Sequence, residues 1–203
     1  MRLSRSAALF AAAFLCAAAF VFGASDKAAD FSALLERYYE DYLALFPVDA
    51  AGSGDSDRRY DHVWQNEISA ESRTAEARLA ANYLTALAQF DRAALSASEQ
   101  LSYDVQKWSL EVRQAGLAVP THLLPVNQFW GPPLLFAQMG SGASLHRFET
   151  EKDFRNFIAR ADGFSAWVDT AIANMREGIA RGLVQPRILM ERVLPQYEPL
   201  MVD

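Results

Sequence analysis

Apolar residues recur at helical spacing along most of this chain, and the breaks in that rhythm mark its joints. Phe31, Leu34, Leu35, Tyr38, Tyr39, Tyr42 and Leu45 form one stripe, which predicts a helix over 28–46 that Pro47 stops. Residues 51–67 carry Gly52, Gly54 and several Asp and read as a polar loop. A second helix is predicted over 69–90, with Ser69 as its cap and Ala75, Leu79, Tyr83, Leu87 and Phe90 facing inward. Ser96 and Glu99 form a capping box that opens a third helix. Leu101, Val105, Trp108 and Val112 are its predicted buried stripe, and Gly116 its end. Thr150 and Asp153 repeat the cap signal for a fourth helix, with Phe154, Phe157 and Ile158 inward. A fifth is predicted over 164–181, with Trp167, Val168, Ala171, Ile172, Met175 and Ile179 as its stripe and Gly182 as its stop. Pro186 suits the first turn of a sixth, closed by Pro195. No strand-like alternation extends beyond a few residues, so the fold class is all-α, with about six amphipathic helices.

One segment departs from the rhythm. Residues 122–142, HLLPVNQFWGPPLLFAQMGSG, are apolar, aromatic and studded with Pro and Gly. They are too apolar for a solvated loop and too broken for a helix, so a long packed connection is expected. Asn127, Gln128 and Gln138 place amides among Phe129, Trp130, Leu134, Leu135 and Phe136. Buried amides need partners, which the segment's own backbone or a ligand can supply. Trp130 with Gly131, Pro132 and Pro133 reads as a hydrophobic plug or a stacking platform.

Charge and the N-terminus narrow the class. Asp and Glu outnumber Lys and Arg by 25 to 19 without a dense basic patch, which argues against nucleic acid as a partner. Arg2 and Arg5 precede an apolar run over 7–22, and Val21 and Gly23 suit a cleavage site after residue 23. Residues 1–23 therefore read as a secretory signal peptide, with an uncleaved anchor as the other reading. A lipid anchor on Cys16 would need a small residue where Leu15 stands. Cleavage removes Arg2 and Arg5, taking the net charge from −6 to −8, and removes Cys16, the only cysteine. The expected product, residues 24–203, is periplasmic or secreted, needs no membrane after cleavage and has no thiol chemistry.

Candidate chemistry is sparse. His62, His122 and His146 stand alone, outside any metal-ligand spacing. Gly140-Ser141-Gly142 lacks the full nucleophile-elbow pattern and its preceding strand. Glu36, Glu40 and Asp41, Asp55 and Asp57, and Glu149 and Glu151 suit solvated faces. No catalytic residue, metal ligand or cofactor site is assigned in this chain.

Several motifs in one order carry a resemblance. They are Tyr39-Glu40-Asp41-Tyr42-Leu43 before Leu45-Phe46-Pro47, Leu101-Ser102-Tyr103-Asp104 with Lys107-Trp108, and His122 to Gln128 with Phe136-Ala137-Gln138. Phe148-Glu149-Thr150, the run from Ile172 to Gly178, and Val184-Gln185-Pro186-Arg187 up to Gln196 continue the series. Over about residues 30–196 the chain resembles the N-terminal part of the bacterial domain of unknown function 885 family. The resemblance implies an exported, largely helical protein similar to zinc metallopeptidases, with H-E-x-x-H in a C-terminal half. That motif is not in these 203 residues, so zinc is expected only in a full-length member. The chain then reads as a truncated, non-catalytic scaffold within a larger helical fold, forming one wall of a peptide cleft completed by a missing C-terminal half. Asn127, Gln128 and Gln138 would bond an extended peptide, and Arg176 would pair with a substrate carboxylate; a surface ion pair is the plainer role for Arg176. On this reading apolar surface is left uncovered near residues 129–136. A second reading stays open, in which the chain is a complete exported helical module that binds a ligand or protein and catalyses nothing.

Overall fold

The computed structural model describes residues 29–52, 58–129, 131–142 and 144–200. The segment read as a signal peptide, Asp55, Asp57, Trp130 and the last three residues lie outside them. Every regular element described is helical, as the hydrophobic spacing predicts. The elements are α1 (29–45), α2 (Pro47–Gly52), α3 (Ala70–Leu87), α4 (Ala97–Leu117), α5 (Pro132–Gly140), α6 (Glu151–Ala180) and α7 (Arg187–Tyr197). Short 3-10 turns occupy Arg92–Ala94, Thr121–Leu123 and Glu198–Leu200. No helix among the described residues is long and apolar enough to cross a membrane.

The chain divides into two compact units. The first combines the described residues up to Glu40 with Ala80–Val112; the second combines Asp41–Leu79 with the residues from Arg113 onward. In the first, Phe31, Leu34, Leu87 and Leu95 form the core. Phe90 meets Phe31 edge-on at 5.4 Å and Tyr103 stacks on it at 6.4 Å. Each such pair contributes about 0.5–1.5 kcal/mol beyond its buried area. The capping box opening α4 forms as its sequence implies. The Ser96 N–H donates to Glu99 Oε2 at 2.8 Å, and the Glu99 N–H donates to Ser96 Oγ at 3.4 Å.

The predicted stripe of α4 faces solvent instead of the core. Leu101 and Trp108 are 65% and 66% exposed, and Val105 and Val112 are exposed beside them. α4 buries Leu110 and stacks Tyr103 instead. Spacing shows that a helix face is apolar but not what it meets, and this helix carries two such faces.

The second unit is built on α6. Trp64, Ile68, Met139, Trp167 and Ala171 form its core. Phe136 stacks on Phe164 at 4.3 Å and on Phe157 at 5.1 Å, with Trp64 edge-on to it at 5.7 Å. The sequence pattern predicts two helices where α6 runs unbroken for 30 residues. Gly163, within this helix, serves a close approach: a Cβ there would stand 3.0 Å from both Trp64 Cβ and Trp64 O. The unbroken helix turns Phe154 and Ile158 outward and Phe157 inward. Its end is a Schellman motif. Gly182 adopts φ 71°, its N–H donates to Ile179 O at 3.1 Å, and the Leu183 N–H donates to Gly178 O at 2.8 Å.

Four other sequence signals resolve differently. Pro47 begins α2 rather than only ending α1, because the missing N–H costs nothing in a first turn. Gly116 lies inside α4, and a Cβ there would meet nothing within 4 Å, so no packing role falls to it. The 122–142 segment is not all connection, since Pro132 and Pro133 open the nine-residue α5. Pro195 sits within α7, which passes it with one backbone bond missing.

A buried ionic network pins residues 58–63 to α6. Arg160 is 0% exposed. Its Nε donates to Val63 O at 3.1 Å and its Nη2 donates to Tyr60 O at 3.0 Å, with Asp61 Oδ1 at 3.7 Å. Arg58 bridges Asp61 at 2.7 Å and Asp153 at 3.1 Å. Asp153 also accepts from the N–H groups of Thr150 at 2.7 Å and Glu149 at 3.0 Å, capping α6. Burial alone would raise its carboxyl, but those N–H groups, the Thr150 hydroxyl and Arg58 more than reverse this and hold it below the ordinary range. His146 lies in the same network, buried and hydrogen-bonded. Arginine has only donors, so Nδ1, 3.4 Å from Arg160 Nη1, accepts, and Nε2–H donates to Asp153 O at 3.0 Å.

Candidate functional site: two grooves on α6

The chain between α4 and α5 reaches α6 at Gly178. A Cβ there would stand 3.1 Å from Leu123 O and 2.7 Å from Leu183 O. Hydrogen in place of a side chain therefore lets the Thr121–Leu123 turn lie directly on the helix, with Leu123 buried. Two grooves open beside this contact, both within the second unit.

One is apolar, an open groove of about 140 Å³ lined by Leu123, Leu124, Val126, Met175, Ile179, Leu183, Val184, Gln185 and Met190. The other is larger, about 560 Å³, and mixed in polarity. Ile68, Ala70, Arg73, Thr74 and Ala77 line it from the α3 end, Leu117 and His122 from the following chain, and Asn174 and Glu177 from α6. Asn174 and Glu177 are spaced i,i+3, and Met175 and Ile179 i,i+4, so α6 presents one face to each groove.

Hydrogen bonds orient the polar groups. Arg73 Nη2 donates to Leu117 O, the last carbonyl of α4, at 2.6 Å. Asn174 Nδ2 donates to Ile68 O at 3.0 Å. Glu177 Oε1 accepts from Arg181 at 2.9 Å. His122 Nδ1 is buried and has no partner among the described residues. Glu67 is a part-buried acid of the same unit. Burial lifts its carboxyl above the ordinary value, its own N–H and the Trp167 indole partly opposing, and the indole Nε1 donates to it at 3.0 Å. It serves as the hydrogen-bond partner of a core tryptophan.

None of Asn127, Gln128, Gln138 and Arg176 lines either groove. Asn127 Oδ1 accepts from the Phe129 N–H at 2.9 Å, an Asx turn that shapes its own loop. Gln128 O accepts from Gln196 Nε2 at 3.0 Å, which ties the segment to α7. Gln128 Oε1, Gln196 Oε1 and Tyr197 OH are buried without partners among the described residues. Gln138 and Arg176 are exposed. Of the aromatic residues expected to leave apolar surface open, Phe129 is 76% exposed while Phe136 is stacked in the core. Sequence reasoning misses Arg73, Asn174 and Glu177 as site residues. The signal that could have found the last two lies within the run from Ile172 to Gly178, where polar and apolar positions alternate between two helix faces.

The fold and grooves define an all-helical module with two open grooves on one long helix. No group of three or more His, Cys, Asp or Glu among the described residues could hold a metal ion. Residues 47–202 match the family described as bacterial protein of unknown function (DUF885), and the chain belongs to that family. No curated protein and no solved structure matches it.

Proposed function

We propose that this chain is the non-catalytic helical part of an exported, zinc-peptidase-like protein, and that it forms one wall of a peptide cleft. The observation that carries this reading is the pair of grooves on two faces of α6. A peptide presents apolar side chains and a polar backbone together, and an apolar groove beside a hydrogen-bonding one suits both. The metal chemistry belongs to a part bearing H-E-x-x-H, which these residues lack. Residues 1–23 act as the export signal, and the peptide is the partner. Sites at Asn127, Gln128, Gln138 and Arg176 remain within the proposal as outer contacts, and Gln128 Oε1 lacks a partner among the described residues.

Equilibrium binding of short acetylated peptides to the full chain, read by tryptophan fluorescence, tests the proposal. Saturable binding without added metal is expected. Stoichiometric zinc that drives peptide hydrolysis by this chain alone would refute the non-catalytic assignment. The second reading, a self-sufficient binding module, draws on each groove being lined within one unit. It predicts that a chain bearing H-E-x-x-H leaves the affinity unchanged, whereas a cleft wall binds more tightly in its presence.

A further inference from the structure

We infer that the polar groove is a carboxylate site, with Arg73 as the anchor, and that it receives the C-terminal end of a peptide. This rests on the peptide reading above and names the part of the peptide that is held. Arg73 is half-buried at the groove, and no carboxylate among the described residues pairs with it. One guanidinium nitrogen is fixed on Leu117 O at 2.6 Å, which orients the planar fork and leaves its remaining N–H donors for a ligand. A carboxylate matches that fork with two parallel hydrogen bonds.

The rest of the groove selects among anions. Asn174 has its Nδ2 committed to Ile68 O at 3.0 Å, so its Oδ1 is the end that can accept. An acceptor beside a cationic donor suits a group holding a carboxylate next to an amide N–H, as the last residue of a peptide does. Glu177 lines the same groove with its carboxylate paired to Arg181 at 2.9 Å, so it does not compete for Arg73. His122 Nδ1, buried beside the groove, has no partner among the described residues. The plain role of Arg73 is to cap the last carbonyl of α4. That role uses one nitrogen and predicts no ligand preference.

The test uses the full chain and three probes: N-acetyl-alanyl-leucine, its C-terminal amide, and acetate. The free acid should bind about ten- to a hundredfold more tightly than the amide, the worth of a charged hydrogen-bonded pair. Arg73→Gln should abolish that preference, and Arg73→Lys should keep part of it. Equal binding of acid and amide would overturn the carboxylate site while leaving the peptide reading intact. Binding of neither peptide would overturn both. Acetate binding as tightly as the dipeptide acid would keep the carboxylate site and overturn the peptide as its source. Retained acid preference in folded Arg73→Gln would also overturn the assignment.

Discussion

Replacing Gly178 by alanine sets two opposed effects against each other at the contact that positions both grooves. Alanine in a helix is favoured over glycine by about 0.8–1 kcal/mol. The new Cβ, however, would stand 2.7 Å from Leu183 O and 3.1 Å from Leu123 O. Both are backbone atoms, so relief requires moving the Thr121–Leu123 turn or the Schellman end of α6. Overpacking of this kind costs about 1–3 kcal/mol. The net expectation is a loss of up to about 2 kcal/mol. With a urea m-value of about 2 kcal/mol/M, the midpoint falls by up to about 1 M. Gly116→Ala is the control, because it also adds a methyl to a helix but meets nothing within 4 Å. It should gain up to about 1 kcal/mol. Urea titration followed by far-UV circular dichroism compares the two. A Gly178→Ala midpoint at or above that of the parent would refute the packing argument and, with it, the account of how the grooves are held.

Arg160→Met should lower stability by about 1–3 kcal/mol, because Val63 O loses the Arg160 donor and Tyr60 O keeps only the Val63 N–H, while Asp61 keeps Arg58; a loss under about 1 kcal/mol by denaturant titration would contradict this. Asp153 has a folded pKa below its ordinary 3.8, so its contribution is present above that value and is lost as pH falls through the lower folded one. Asp153→Asn should therefore flatten the acid limb of the pH–stability curve, and an unchanged limb would count against the cap. Glu67 has the opposite sign: its raised folded value means that its contribution is full below the ordinary 4.5 and is lost as pH rises through the folded one. Glu67→Gln should accordingly weaken that loss between acid and neutral pH. Trp108→Glu with Val105→Lys should reduce dye binding to exposed apolar surface and self-association, measured by fluorescence and light scattering; no change in either would show that the α4 stripe is not sticky.

Periodicity makes the helical class and most helix positions legible, because a 3.6-residue rhythm is a local property. The caps at Ser69, Ser96 and Thr150 are equally legible, since a cap and its hydrogen-bond partner lie within three residues. What fails depends on distant partners. α6 reads as two helices, and the close approach that Gly163 serves is not legible, because the Trp64 backbone it meets lies far away in sequence. The α4 stripe looks like core because apolarity does not report what stands opposite. Asn127 and Gln128 are prominent by composition, but the Asn127 amide closes its own loop and Gln128 is tied to α7 through its backbone carbonyl. Arg73 and Asn174 are ordinary helix residues whose meaning comes from what the fold places beside them.

The Arg160 network also sets the order in which the protein can be finished. Its bonds to Tyr60 and Val63 span 100 and 97 residues. At ribosomal speeds of about 5–20 residues per second, Tyr60, Val63 and Trp64 wait about 5–20 s for the α6 that covers them. The first unit has all its residues by Val112 and can close during that interval. The second cannot, so its nascent tryptophan and tyrosine are the surfaces that a holding chaperone would meet first.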